Sequence, residues 1–209
     1  MLSISRPMPN YRAFRLLPLL TLAAVLAGCA TSGASLPNAN VPVAAYRDTI
    51  ELSGKLGVTY HKDGQPQGLN GDFTWTQRPG NIDVELFGPL HQTQALINVT
   101  PQSATLTLTD GKPRVAKDID TLTAQALGWT LPVSGLRDWL QGHATDAEGK
   151  PFTASPANNN VYTRDGWRLR FAEWQKGEGT PMPRVINAER GASADSEGLA
   201  IRIIINPAG

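Results

Sequence analysis

Glu51-Leu52-Ser53-Gly54-Lys55-Leu56-Gly57-Val58-Thr59-Tyr60 and, nine residues on, Leu69-Asn70-Gly71-Asp72-Phe73-Thr74-Trp75-Thr76 decide the fold of this chain. In the first segment Leu52, Gly54, Leu56, Val58 and Tyr60 are apolar or small, and Glu51, Ser53, Lys55 and Thr59 fall between them. Alternation sends the two sets to opposite faces of an extended chain, so the segment reads as a strand buried on one side. The second segment repeats the pattern, with Leu69, Gly71, Phe73 and Trp75 against Asn70, Asp72, Thr74 and Thr76. Between them Lys62, Asp63 and Gly64 make a turn, since an Asp-Gly pair suits positive φ.

The same period continues downstream. Arg78 to Asn81 is a turn, and Ile82, Val84 and Leu86 alternate with Asp83 and Glu85. After a break at Gly88 and Pro89 come Ala95, Ile97 and Val99, then Leu106 and Leu108 between threonines, ending at Asp110-Gly111. Five strands on short turns form an antiparallel meander.

From Asp118 to Trp129 the spacing becomes helical at Leu122, Ala126 and Leu127, with Asp118 or Asp120 placed to accept the first amides and Gly128 near the end. Beyond Pro132, Val133 to Gln141 puts Leu136, Trp139 and Leu140 on one face of a second short helix. Such short helices need a surface to lie on. Strands resume around Tyr162, the Asp165-Gly166 turn, Trp167 to Phe171, Arg184 to Glu189, and Leu199, Ile201, Ile203 and Ile205.

The pattern predicts a mainly β protein of about eight or nine strands with two short helices. A sheet of that length, apolar on one face, must curl on itself or be covered. Two short helices are too small for half a sandwich but suffice to cap the mouth of an open barrel. Gly54 and Gly71 on the inner face permit either curvature or a void. A filled core and an apolar cavity both remain open at this point.

Upstream, Arg6, Arg12 and Arg15 precede an apolar stretch from Leu16 to Val25, which has the build of a secretory signal peptide and is too short to span a bilayer. Leu26-Ala27-Gly28-Cys29 resembles the bacterial lipobox, which predicts cleavage before Cys29 and lipid attachment to it. The expected organisation is a signal peptide over 1–28, a lipid-anchored tether over 29–45 rich in small and turn-forming residues, and one domain over 46–209. Ala30 and Thr31 stand where an aspartate resembles an inner-membrane retention signal, so the expected location is the periplasmic face of a Gram-negative outer membrane.

Removing 28 residues and three arginines from the 209 residues and 19 basic side chains leaves 181 residues with 16 basic against 18 acidic side chains, a formal charge of −2. That balance offers no footprint for nucleic acid. A single cysteine permits neither an internal disulfide nor a thiolate metal cluster. His61, His91 and His143 have no ligand spacing, and the first two read as solvated side chains; Asp118-Ile119-Asp120 reads as a helix start. No Gly-x-Ser-x-Gly elbow or phosphate-cradling loop occurs. The expectation is therefore a monomer with no catalytic residues, metal or cofactor.

Several phrases in order resemble the family of the outer-membrane lipoprotein receptor LolB, across essentially the whole mature chain. They are Gly54-Lys55-Leu56, Gly71-Asp72-Phe73-Thr74-Trp75, Gly88-Pro89-Leu90, Leu127-Gly128-Trp129-Thr130-Leu131-Pro132-Val133 leading into Leu136-Arg137-Asp138-Trp139-Leu140-Gln141-Gly142, and Asp165-Gly166-Trp167. The resemblance implies a half-open antiparallel β-barrel with short helices forming a lid over an apolar cavity. It further implies acceptance of acylated lipoproteins from the periplasmic carrier LolA and insertion of their acyl chains into the outer membrane. Leu56, Val58, Phe73, Trp75, Leu86, Leu106, Trp139 and Trp167 are the expected cavity and lid residues. Leu90, with Gly88 and Pro89, matches the family's protruding membrane-delivery loop. Two departures stand out: His91 replaces the family's usual glycine after the leucine, and Asn206 to Gly209 lacks the family's late tryptophan. A structural or adaptor lipoprotein with a solid barrel core is the alternative, and an envelope hydrolase a more distant one.

Overall fold

The long hairpin read from the sequence is the spine of the structure, a computed structural model that describes residues 38–62, 64–176, 179–192 and 198–207. β1 (Ile50–Lys62) and β2 (Gln65–Arg78) pair from Ile50↔Gln77 to Lys62↔Gln65, so β2 starts four residues before Leu69. Gly64 turns the chain at φ 72°. β3 (Asn81–Phe87), β4 (Thr93–Val99), β5 (Ala104–Leu108) and the short β6 (Pro113–Ala116) extend the meander. Then come α1 (Ile119–Leu127), α2 (Val133–Trp139) and a small hairpin of β7 (His143–Thr145) and β8 (Pro151–Thr153). β9 (Asn160–Tyr162), β10 (Arg168–Trp174), β11 (Pro183–Arg190) and β12 (Leu199–Ile205) complete the chain, with β12 lying beside β1.

Ten strands form one antiparallel sheet in the order β6-β5-β4-β3-β2-β1-β12-β11-β10-β9. β6 and β9 are its two edges, so the curled sheet is a half-open barrel. Among the described residues twelve strands replace the eight or nine expected, because β6, β7 and β8 are only three or four residues long. So short a run shows no alternation to read. His61, expected beside a turn, lies within the end of β1.

The inward side chains form rows across the sheet. Leu52, Trp75, Val84, Ile97 and Leu106 stand opposite one another on β1 to β5, and all but Leu52 are buried. The next row is Gly54, Phe73, Leu86, Ala95 and Leu108. The glycines serve curvature: a Cβ on Gly54 would meet the Ile204 carbonyl oxygen at 2.1 Å, and one on Gly71 the Phe87 carbonyl oxygen at 2.1 Å. Neighbouring backbone already occupies that space, so neither glycine opens a void.

α1 begins at Asp118, whose carboxylate accepts from the amides of Asp120 and Thr121, and ends at Gly128 with φ 80°. α2 starts at Pro132 without a side-chain cap of its own. Its first turn is satisfied from α1, where the Asp120 carboxylate accepts from the Ser134 amide at 3.2 Å and from the Ser134 hydroxyl. The buried Thr123 hydroxyl accepts from the Leu131 amide at 3.0 Å. The two helices are thus one hydrogen-bonded unit, and Ile119, Leu122, Val133, Leu136 and Trp139 bury its underside.

Packing reaches upstream of the expected boundary at Tyr46. Val43 is buried, its amide donates to Ala154 O at 2.9 Å, and the Ala157 amide donates to Ala39 O at 2.8 Å. Tyr46 Oη takes hydrogen bonds from the buried Gln77 amide at 2.6 Å and from Arg137 at 3.1 Å, tying this segment to β2 and α2. The expected signal peptide over 1–28, Cys29 and the tether up to residue 37 lie outside the described residues.

Candidate functional site

Above the second row of side chains the barrel interior is not filled. A cavity of about 480 Å³ is walled by Leu56, Tyr60, Leu69, Leu86, Phe87, Pro89, Ala95, Leu108, Leu127 and Trp129. Asn70, Asp72, Gln92, Gln94 and Thr109 supply its polar rim. Trp129, just past α1, stacks on Tyr60 with ring centroids 6.1 Å apart and roofs one side. At the rim Lys55 Nζ lies 2.9 Å from the Asp72 carboxylate. An apolar wall with a polar lip suits a ligand that has an apolar tail and a polar head.

Of the eight expected cavity and lid residues, Leu56 and Leu86 line this cavity. Val58, Phe73, Trp75 and Leu106 belong to the packed core below it, none more than 5% exposed. Trp139 and Trp167 meet edge to face at 5.6 Å and line a second, more polar cleft of about 510 Å³ beside α1 and α2. There the Arg190 guanidinium lies 4.8 Å over the Trp167 ring and donates to Thr130 Oγ1 at 3.3 Å. Burial pushes the Asp120 carboxyl above its usual range in the same cleft, against the pull of the Ser134 hydrogen bonds.

The expected cavity set left out Tyr60, Leu69, Phe87, Leu108, Leu127 and Trp129, all of which line the wall. Tyr60 and Leu69 continue the inner faces of β1 and β2, and that signal was present. Phe87 and Trp129 sit at or just past the end of a strand or helix, and periodicity carries no information there.

Directly beside the cavity, the loop between β3 and β4 carries Leu90 with 88% of its surface exposed. The Gly88 carbonyl accepts from the His91 amide at 2.9 Å, and the Gly88 amide donates to Gln92 O at 2.9 Å, closing a tight turn. Pro89 occupies the position where its fixed φ suits that turn. His91 follows at φ 58°, the only non-glycine residue of positive φ among the described residues. Its ring stacks on Phe87, centroids 4.4 Å apart and 6° from parallel. His91 therefore occupies a backbone conformation that glycine adopts without cost. His143, by contrast, bonds Ala44 O at 2.9 Å and holds the N-terminal segment.

Among the described residues no group of three His, Cys, Asp or Glu side chains is placed to hold a metal ion, and no helix is long and apolar enough to cross a membrane. Asp118, paired in sequence with Asp120, is held below its usual carboxyl range by the Thr121 side chain and by backbone amides.

Residues 48–207 match the family described as Outer membrane lipoprotein LolB. The chain belongs to the LolB family. An outer-membrane lipoprotein LolB from Cupriavidus pinatubonensis is 33% identical over 210 residues, covering 96% of this chain and 98% of the relative. One from Cupriavidus taiwanensis is 36% identical over 165 residues, covering 75% and 79%. A LolA superfamily protein from Nitrosomonas europaea aligns in three dimensions with a TM-score of 0.45 at 7% identity, over 78% of this chain and 86% of that one. The LolB match spans all of β1 to β12, and with them the cavity and the Leu90 loop.

Proposed function

We propose that this LolB-family protein is an outer-membrane lipoprotein, held at the periplasmic face through lipid on Cys29, that takes acylated lipoproteins from the carrier LolA and passes them into the membrane. The observation that carries the reading is an apolar cavity lined by Pro89, the residue next to an exposed leucine on a tight turn. Each acyl methylene sheltered from water is worth about 0.8 kcal/mol, so even part of one chain inside the cavity is a substantial affinity. No bond is made or broken. Transfer runs downhill from carrier to receptor to bilayer, and the receptor must hold cargo more tightly than the carrier yet less tightly than the membrane.

Support for the delivery role of Leu90 comes from its placement. An apolar side chain that finds no cover on its own protein gains by entering a lipid surface. The cavity also separates this reading from that of an adaptor with a solid core, which needs no such space.

The test uses the chain from Ala30 onward, which lacks the lipidated cysteine. It is expected to bind a fluorescent fatty acid and to relieve LolA of bound lipoprotein. Neither activity appearing would sink the proposal. Leu90→Glu is expected to keep acceptance and to lose delivery to liposomes; delivery at the parent rate would remove the loop from the mechanism.

A further inference from the structure

The turn that carries Leu90 is built on a residue that pays for its backbone. With φ at 58°, His91 sits in the left-handed region, where a side-chain-bearing residue is disfavoured and turns normally use glycine. Two features hold it there. Its amide is bonded to Gly88 O, and its imidazole lies flat on Phe87 at 4.4 Å. Phe87 is itself fixed, since its carbonyl fills the space beside Gly71 and its side chain forms part of the cavity wall.

We infer that the Phe87–His91 stack is the clamp that keeps Leu90 pointing away from the barrel, and that His91 is a positioning residue for delivery. Without the stack, His91 relaxes towards negative φ and the turn reopens. Leu90 then has an apolar alternative in the cavity, whose wall includes Leu69, Phe87 and its own chain neighbour Pro89, and covering itself there is favourable. A leucine tucked into the mouth is lost to the bilayer and obstructs the cargo path. The ring stack thus does for this chain what the absence of a side chain does when residue 91 is glycine. One consequence is distinctive: the demand for an aromatic at position 87 exists only while residue 91 carries a side chain.

The clamp rests on the proposed function for its delivery readout but has a second readout that does not. In the chain from Ala30 onward, Phe87→Leu is expected to speed hydrogen exchange of the His91 amide about tenfold, the scale of one lost aromatic pair. Liposome delivery should fall several-fold. The double variant Phe87→Leu with His91→Gly is expected to recover delivery, because glycine takes the same φ unaided. Unchanged exchange in Phe87→Leu overturns the clamp, and so does a folded double variant that fails to regain delivery. Should the parent chain deliver nothing, the proposed function fails, and the exchange measurement still decides the clamp.

Discussion

Two neighbouring rows inside the same sheet end differently. Leu52, Trp75, Val84, Ile97 and Leu106 fill their span, with Trp75 1% and Leu106 0% exposed. One step along the strands, Gly54, Phe73, Leu86, Ala95 and Leu108 leave Leu86 and Leu108 half-buried against an open cavity. Backbone, pairing and twist are shared, so the contrast lies in side-chain volume. On β2 the first row has Trp75 and the second Phe73, and on β4 the first has Ile97 and the second Ala95. Room for a ligand here comes from the small Ala95 side chain and from strand ends that stop short, and the hydrophobic pattern alone is the same in both rows.

The largest effect should come from breaking the filled row. Trp75→Ala removes the bulkiest core side chain and orphans its hydrogen bond to Gln77, 3.3 Å in the native protein. A loss of about 3–5 kcal/mol is expected in chemical denaturation, with fatty-acid binding failing only as the fold fails. Next, the same substitution at two alanines separates the regions. Ala104 is 1% exposed at the packed end and Ala95 3% exposed on the cavity wall. Ala104→Phe overpacks and should cost about 1–3 kcal/mol in stability. Ala95→Phe should cost little stability, because its ring enters empty space. It displaces about two methylenes of ligand, roughly 1.6 kcal/mol or fifteenfold in fatty-acid affinity. Equal stability losses at the two alanines would mean that the packed end and the cavity wall do not differ in the way the cavity indicates.

The meander, both helices and the final strand were legible in the sequence because each is long enough to repeat its period. Asp118 and Gly128 marked α1 at both ends, as the capping hydrogen bonds require. One edge strand was not legible: β6 owes its extended form to its partner β5 and holds too few residues to show a preference. The site was half legible. Leu90 could be placed on an exposed turn, since Pro89 and its polar neighbours are local signals. Whether Trp75 or Leu86 faces the empty space could not be read, because both satisfy the same alternation and only their level in the stacked rows distinguishes them. The role of His91 was invisible for a related reason, as its ring partner precedes the turn and its φ is set by contacts the chain makes only when folded.

The smallest effect tests whether the lid belongs to the cavity row alone. α1 and α2 share one hydrogen-bonded unit, and two aspartates two residues apart serve it with opposite proton preferences. Asp118 is held below its free value of 3.8, so its support for α1 is present above that pH and is lost as the pH falls through the folded-state value. Asp120 is raised by burial, so its contribution is present below 3.8 and is lost as the pH rises through its folded-state value. Asp118→Ala should therefore cost about 1 kcal/mol near neutral pH, with the gap from the parent chain closing in acid. Hydrogen exchange is the measurement that sharpens the comparison. Faster exchange is expected in α1 and at Trp129 above the cavity, while amides flanking Trp75 and Leu106 keep their protection. Exchange rising equally in both rows would mean that the lid is part of the core and not a cover over the space beside it.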